Sequence, residues 1–434
     1  MSVKSAAYNI AVKVFQLMTQ VGLAYFTNRV LAPEGRGLVA AASTWHMLLF
    51  TIGYLSIPVA IYNLFGSRKS QESAFAGNAL IAGIGLGLIT AGIAWICFKY
   101  FPNWFENIPD SFFLLILIGI PLYMIQQFHL AVLQMMGHLK EYNFSFLLTT
   151  LVNILLTGLA LWMQEYDAYR AMWILLLNWI ITLLYTSITL WSKGNKNWTV
   201  DLPLLRTLLL TGIVAHFASI VTLAAQRLDL IMVNNILGQR EAGIYFLAIM
   251  LTGTLTIIPS AVQSVLYPKL AAAGEAEGTG MTIRVARITL LIMVFACLAM
   301  AVMAWPAVRI VGGLPFMEAV PLILIMLPGV ALYSVPVVLA GLWNSRGIFR
   351  LLNLSSVLMF AFIIGTDYLL ISSFGLKGAA FAALSISSFS LAVHLFFLKT
   401  VAGIKNPLKE ILPGTADFRF LWDLVKSAQA KFIP

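Results

Sequence analysis

The sequence predicts an all-α polytopic membrane protein, with about twelve transmembrane helices in two parallel six-helix repeats and both termini cytoplasmic. Three observations predict it. Of 434 residues, 60% are apolar and only 10% are charged, with a mean hydropathy of +0.91. The apolar residues fall into runs of membrane-spanning length, and the two halves of the chain share motifs at a nearly constant offset. An ordinary soluble domain is about 25% charged. So few charges cannot cover a soluble surface of this size, which excludes a water-soluble enzyme. Disorder and collagen-like structure fail on the same figures.

A bilayer core takes about 20 apolar residues per helix. Runs punctuated by proline, glycine and charge clusters occur at 6–31, 38–62, 74–98, 111–136, 144–163, 171–191, 207–236, 243–268, 288–308, 316–343, 351–373 and 378–398. A transmembrane barrel would instead show strands of about ten residues with alternating polarity. The first run carries Lys13 and leads straight into the second, so it reads as a membrane helix rather than a cleaved signal peptide. Cys97 and Cys297 both lie inside apolar runs, which leaves neither a disulfide framework nor a zinc site to expect.

Lysine and arginine set the orientation. With the N-terminus in the cytoplasm, 18 of the 27 basic residues fall on the cytoplasmic side. Six fall on the other side: Arg36, Lys99, Arg170, Arg240, Arg309 and Lys377. Lys13, Arg29 and Arg227 lie inside spans. That asymmetry predicts cytoplasmic termini, and it brings the basic residues to anionic membrane lipids rather than to nucleic acid. Past Lys399, Phe418, Phe420, Leu421, Leu424 and Val425 alternate with Arg419, Asp423 and Lys426. This pattern fits either a short amphipathic helix on the inner surface or a frayed solvated tail.

The internal repeat has two anchors. Leu31-Ala-Pro-Glu-Gly-Arg-Gly37 closes span 1, and Leu237-Gly-Gln-Arg-Glu-Ala-Gly243 closes span 7 at an offset of 206. At the same offset Gln20 falls on Gln226 and Asn28 on Asn234. The pattern Gly137-x-x-Lys140-x-x-Asn143-x-Ser145 recurs as Gly347-x-x-Arg350-x-x-Asn353-x-Ser355 at offset 210, and Pro58 of span 2 has a counterpart in Pro259 of span 8. Six spans per half, an even number, make the repeats parallel, related by an axis along the membrane normal. We therefore expect an N-terminal bundle over 1–195, a C-terminal bundle over 196–400 and a tail over 401–434. Two such bundles suit alternating access, which favours a transporter over a sensor, scaffold or channel.

Polar residues at membrane depth are the candidate site. On span 1, Asn9, Lys13, Gln16, Gln20 and Asn28 fall on one helical face. Lipid cannot satisfy such a stripe, so it must face water or protein. Lys13 either faces a cavity or snorkels to the interface, and Arg29 lies nearer the outer end. Span 7 is 30 residues long, more than a bilayer core needs, so it must tilt, project or break. It carries His216, Gln226, Arg227, Asp229, Asn234 and Asn235. Arg227 and Asp229, two residues apart, point to different faces of a regular helix; either the helix is irregular there or each has its own partner. Asp367, near the middle of span 11, is either a proton- or ion-coupling group or a structural donor. His46, His129, His216 and His394 are scattered without ligand spacing and read as helix-contact residues. No nucleotide-binding loop, nucleophile elbow or metal cluster occurs. We therefore expect no enzyme activity and no cofactor, and work driven by an ion gradient, the membrane potential or the substrate gradient.

The turn Asn28-Arg29-Val30-Leu31-Ala32-Pro33-Glu34-Gly35-Arg36-Gly37 is similar to the R-x-L-G-P-E-x-x-G turn of polysaccharide-export flippases. Arg227-Leu-Asp229-Leu-Ile-Met-Val-Asn234-Asn-Ile-Leu-Gly238 and Glu241-Ala-Gly243-Ile-Tyr245-Phe-Leu-Ala248 resemble their seventh-span aspartate and the G-x-Y-x-x-A opening of the eighth span. The chain thus resembles the multidrug/oligosaccharidyl-lipid/polysaccharide (MOP) exporter superfamily, in its O-antigen-unit flippase branch. The resemblance implies a V-shaped pair of six-helix bundles. It also implies transfer of undecaprenyl-diphosphate-linked oligosaccharide to the periplasmic leaflet of the bacterial inner membrane. Ala32 stands where the pattern has glycine, a change expected to affect the turn little, and two C-terminal spans of the lipid II branch are missing. Substrate contact is then expected at Lys13, Gln16, Gln20, Arg29, Gln226 and Arg227, because arginine and lysine suit phosphate. Asp229 and Asp367 would couple transport to protons or sodium. Polysaccharide polymerase and assembly proteins are possible partners. The rivals are a cation-coupled multidrug exporter of the same superfamily and a non-transporting scaffold for envelope polysaccharide assembly.

Overall fold

The computed structural model describes residues 3–65, 71–105, 107–193, 197–272, 274–346, 348–415, 417–419 and 423. Among them the elements are helical, with no strand. In chain order they are α1 (Val3–Gly53), α2 (Ile57–Phe65), α3 (Glu72–Tyr100), α4 (Asp110–Met135), α5 (Leu139–Trp162), α6 (Ala168–Lys193) and α7 (Leu202–Ile236). There follow α8 (Gln239–Gly253), α9 (Ile257–Ala272), α10 (Glu275–Val311), α11 (Ala319–Ser345), α12 (Phe349–Thr400) and the short α13 (Pro407–Ile411). Two of these helices each cover two expected spans, with the break at Ala32 in α1 and at Gly375 in α12. Spans 2 and 8 are each built from two helices, α1 into α2 and α8 into α9. Among the described residues these helices trace twelve passes, and eight helices, or nine with the bent pair counted as one span, are long and apolar enough to cross a membrane.

Both two-piece spans are explained by the prolines that pair across the repeat. Pro58 and Pro259 each fall in the first turn of a new helix, α2 and α9, where the missing N–H costs nothing. The first break bends its span by 48°. Leu55 and Ser56 take positive φ there, 45° and 48°.

The break at Ala32 corrects the expectation that alanine is harmless in this turn. Ala32 has φ 53° and ψ 179°, a region that is essentially glycine's, and a side chain there costs about 1–3 kcal/mol. The following Pro33 accounts for the extended ψ, because proline excludes the helical region for its predecessor. The repeat shows the contrast: Gly238 occupies the equivalent position, with φ 112°.

By contacts the chain falls into two compact units, one of residues 1–246 with 309–316, the other of 247–308 with 317–434. In the first unit the core is apolar and aromatic, with Phe65, Phe75, Phe113, Ile116, Ile120, Met124 and Phe128 buried. Helix α7 starts on this unit: Asp201 caps Leu204 N–H at 2.9 Å, and Asn78 holds the Asp201 backbone from both sides at 2.9 and 3.1 Å. Further along, His216 accepts or donates to Ser56 at 3.4 Å and bonds the Ile52 carbonyl at 2.8 Å. Gly212 lies so close to Leu55 that a Cβ would overlap its carbonyl oxygen. Thus α7 braces the bent second span.

In the second unit Trp343 is buried edge-on to Phe397, with centroids 5.9 Å apart. Part of the tail docks there: Ile411 is buried, and Asp417 pairs with Arg287 at 2.7 Å. On both units apolar side chains face outward, among them Leu88, Ile93, Leu155, Ile188, Leu298 and Val302. An aqueous surface would not carry so many, and a lipid surface would.

Candidate functional site

The first unit gathers the C-terminal ends of spans 1, 3 and 7 and the segment 309–316 that follows span 9, and it does so with the repeat's own symmetry. Gly37 and Gly243, equivalent at offset 206, face each other. A Cβ on Gly37 would lie 2.7 Å from the amide nitrogen of Gly243, and one on Gly243 would lie 2.9 Å from that of Gly37. Each would also overlap a carbonyl oxygen, that of Gln239 or of Pro33, and those two residues are themselves equivalent. Glu34 and its equivalent Arg240 pair at 3.9 Å across the same contact.

Two loops complete this clasp. The one after α3, a 3-10 turn at Pro102–Phe105, holds the end of α7. Asn107 donates to the Asn234 carbonyl at 3.0 Å, Asn235 donates to the Trp104 carbonyl at 3.0 Å, and Gln239 donates to the Asn107 carbonyl at 2.7 Å. The one after α10, a 3-10 turn at Leu314–Phe316, sits at the end of span 1. There Asn28, buried to 1% exposure, donates to the Val311 carbonyl at 3.2 Å. At offset 206 Asn107 and Pro109 fall on Gly313 and Pro315, and Asn107 and Gly313 both have positive φ, 65° and 86°.

The expected site residues are distributed unevenly. Gln20 is exposed on α1. Arg29 is exposed, its guanidinium 3.8 Å from the Tyr25 ring centroid and donating to the Tyr25 carbonyl at 3.2 Å. The side chains of Lys13, Gln16 and Gln226 lie outside the described residues. Arg227 is half-buried. Helix α7 runs unbroken past it, so the helix is regular here and Arg227 and Asp229 point apart. Asp229 has its own partners: Oδ2 accepts from the Tyr245 hydroxyl at 2.8 Å, and Oδ1 accepts from Leu230 N–H at 2.7 Å. Asp367 lies in the second unit, fully buried on α12.

The histidines behave as helix-contact residues. His46 stacks on Trp179 at 4.0 Å, His129 meets Ser187 at 3.1 Å, and His394 bonds the Ser390 carbonyl at 2.9 Å. Reading the sequence alone missed Arg309, Asn107 and the role of Tyr245. The signal that finds the first two was present, since the repeat extends through both loops at offset 206.

Comparison with known proteins agrees with this architecture. The model of the family described as "Polysaccharide biosynthesis protein" matches residues 2–273. The chain belongs to this family. None of the curated proteins matches the sequence. Among solved structures, the lipid II flippase MurJ in an inward closed conformation aligns with a TM-score of 0.73 at 12% identity, covering 96% of this chain and 92% of MurJ. An inward-facing multidrug resistance MATE family transporter aligns at 0.71 and 12% identity, covering 92% and 99%. A MOP superfamily transporter from Pyrococcus furiosus aligns at 0.61 and 13%, covering 93% and 94%. At these identities the likeness is one of fold. The chain is a multi-pass membrane protein with many apolar helices, and it shares its fold with MurJ and the MATE transporter.

Proposed function

We propose that this protein is a flippase that moves an oligosaccharide linked to undecaprenyl diphosphate from the cytoplasmic to the periplasmic leaflet of the bacterial inner membrane, for surface polysaccharide synthesis. One observation carries the reading: within the stretch matched by the polysaccharide family, the two repeat-equivalent helices α1 and α7 carry cations at membrane depth. A diphosphate cannot cross hydrocarbon unaided, since burying an unpaired charge costs several kcal/mol or more. Arginine offers that group a rigid fork of donors.

In this reading Lys13 and Arg227 bind the diphosphate, Arg29 meets it at the C-terminal end of span 1, Gln16, Gln20 and Gln226 meet the sugars, and the prenyl tail stays in lipid. Asp229 and Asp367 take the coupling proton or sodium ion. Support for Asp229 comes from its seat on α7 two residues from Arg227, with Tyr245 holding its second oxygen. The test is complementation of a flippase-null strain, with a leaflet-accessibility assay on the lipid-linked sugar. Rescue with sugar exposed on the periplasmic leaflet is the expected result. Export of organic cations without rescue identifies a drug exporter and overturns the reading, and no transport at all identifies a scaffold.

A further inference from the structure

We infer that a hollow bounded by Arg29 and Arg309 in the first unit is a second anion site, built to take a phosphate or diphosphate group at the C-terminal end of span 1. The hollow holds about 390 Å³ and opens at the surface, and its lining includes Asn28, Arg29, Ala32, Arg309, Gly312 and Gly313. Its walls contain two guanidinium groups and no carboxylate. Arg227 is not among them.

A single cation in the last turn of a helix is ordinary, because it complements the helix dipole, and Arg309 sits in the last turn of α10. Two cations on one hollow are different. They repel each other, and the repulsion is relieved by an anion between them. Arg29 is held in place by its stacking on Tyr25, and that contact uses one of its five N–H donors. Among the described residues, the Arg309 side chain has neither an ion pair nor a hydrogen bond, and it is exposed. Gly312 and Gly313 add main chain that a ligand can approach closely.

The repeat supplies the control. At offset 206 Arg29 becomes Asn235 and Arg309 becomes Asn103. On that side Asn235 closes directly onto the Trp104 carbonyl, and Gln239 and Asn107 add two more bonds. At these two positions one of the equivalent grips therefore carries amides, Asn103 and Asn235. The other carries arginine at both equivalent positions and leaves a hollow. Holding loop to helix does not require that difference, and binding an anion does.

The inference deepens the flippase reading, on which only its lipid arm rests. The test is calorimetric titration of the full-length protein in detergent with inorganic pyrophosphate and, separately, farnesyl diphosphate. Arg309→Gln should weaken both by about tenfold while leaving the thermal midpoint unchanged, since the side chain is exposed. Arg309→Lys should recover part of the loss, and Asn103→Ala should change nothing. Farnesyl diphosphate binding at least tenfold tighter than pyrophosphate assigns the site to a lipid headgroup; equal affinities assign it to a free anion. Wild-type affinity for both probes in the Arg29→Gln, Arg309→Gln double variant overturns the site. Arginine-dependent pyrophosphate binding in a protein that fails to rescue the flippase-null strain keeps the site and removes the flippase reading. Rescue without such binding does the reverse.

Discussion

Gly37 and Gly243 touch through their main chains, and each occupies the place that the repeat assigns to the other. Neither position has room for a methyl group. Substituting Gly37→Ala or Gly243→Ala should force the two backbones apart or leave an overpacked contact, at a cost of about 1–3 kcal/mol. The thermal midpoint in detergent should fall for each variant. It should fall no further for the pair than additivity allows if one separation relieves both clashes. An unchanged midpoint would show that the backbones do not meet.

Ala32 predicts a change in the opposite direction. Its φ of 53° is strained for alanine, so Ala32→Gly should stabilise the protein by about 1 kcal/mol once the extra chain entropy of glycine is subtracted. Gly238→Ala, at the equivalent position, should destabilise by a similar amount. Denaturant or thermal titration of both variants side by side checks the sign of each.

Tyr245→Phe removes the hydroxyl that Asp229 Oδ2 accepts at 2.8 Å. Tyr245 is fully buried, so the loss should be that of a buried hydrogen bond, about 1 kcal/mol. A double-mutant cycle with Asp229→Asn measures the coupling. A coupling energy near zero would mean that the two groups do not share a bond.

For transport, Lys13→Gln and Arg227→Gln should each lower the rate of lipid-linked sugar transfer by tenfold or more, the equivalent of about 1.4 kcal/mol. Transport that survives both changes would remove these cations from the substrate path. The leaflet-accessibility assay reads this directly.

Helix existence was legible because apolar runs of bilayer length admit few alternatives, whereas the breaks at the paired Pro58 and Pro259 were not read from them. What the runs could not convey was continuity. Span 7 read as a helix that had to tilt, project or break, and it is one unbroken helix of 35 residues because its polar segment is bonded by partners far away in sequence. Asp229 shows why the site was harder to read than the fold. Its partner Tyr245 lies 16 residues on, on another helix, a distance that no local periodicity encodes. Arg309 looked like one more loop cation, since charge counting treats every outer arginine alike. Its neighbour Arg29 becomes visible only when the loop after α10 folds over the end of span 1.

That fold-over has a consequence for descent. The loop of the first repeat grips the opening helix of the second, and the loop of the second grips the opening helix of the first. A half-length precursor would have offered its own loop nothing to hold except the opening helix of another molecule. Such a precursor would have been a homodimer of reciprocally gripped copies. Two copies joined in one chain need not match, and here one side carries Asn103 and Asn235 where the other carries Arg309 and Arg29.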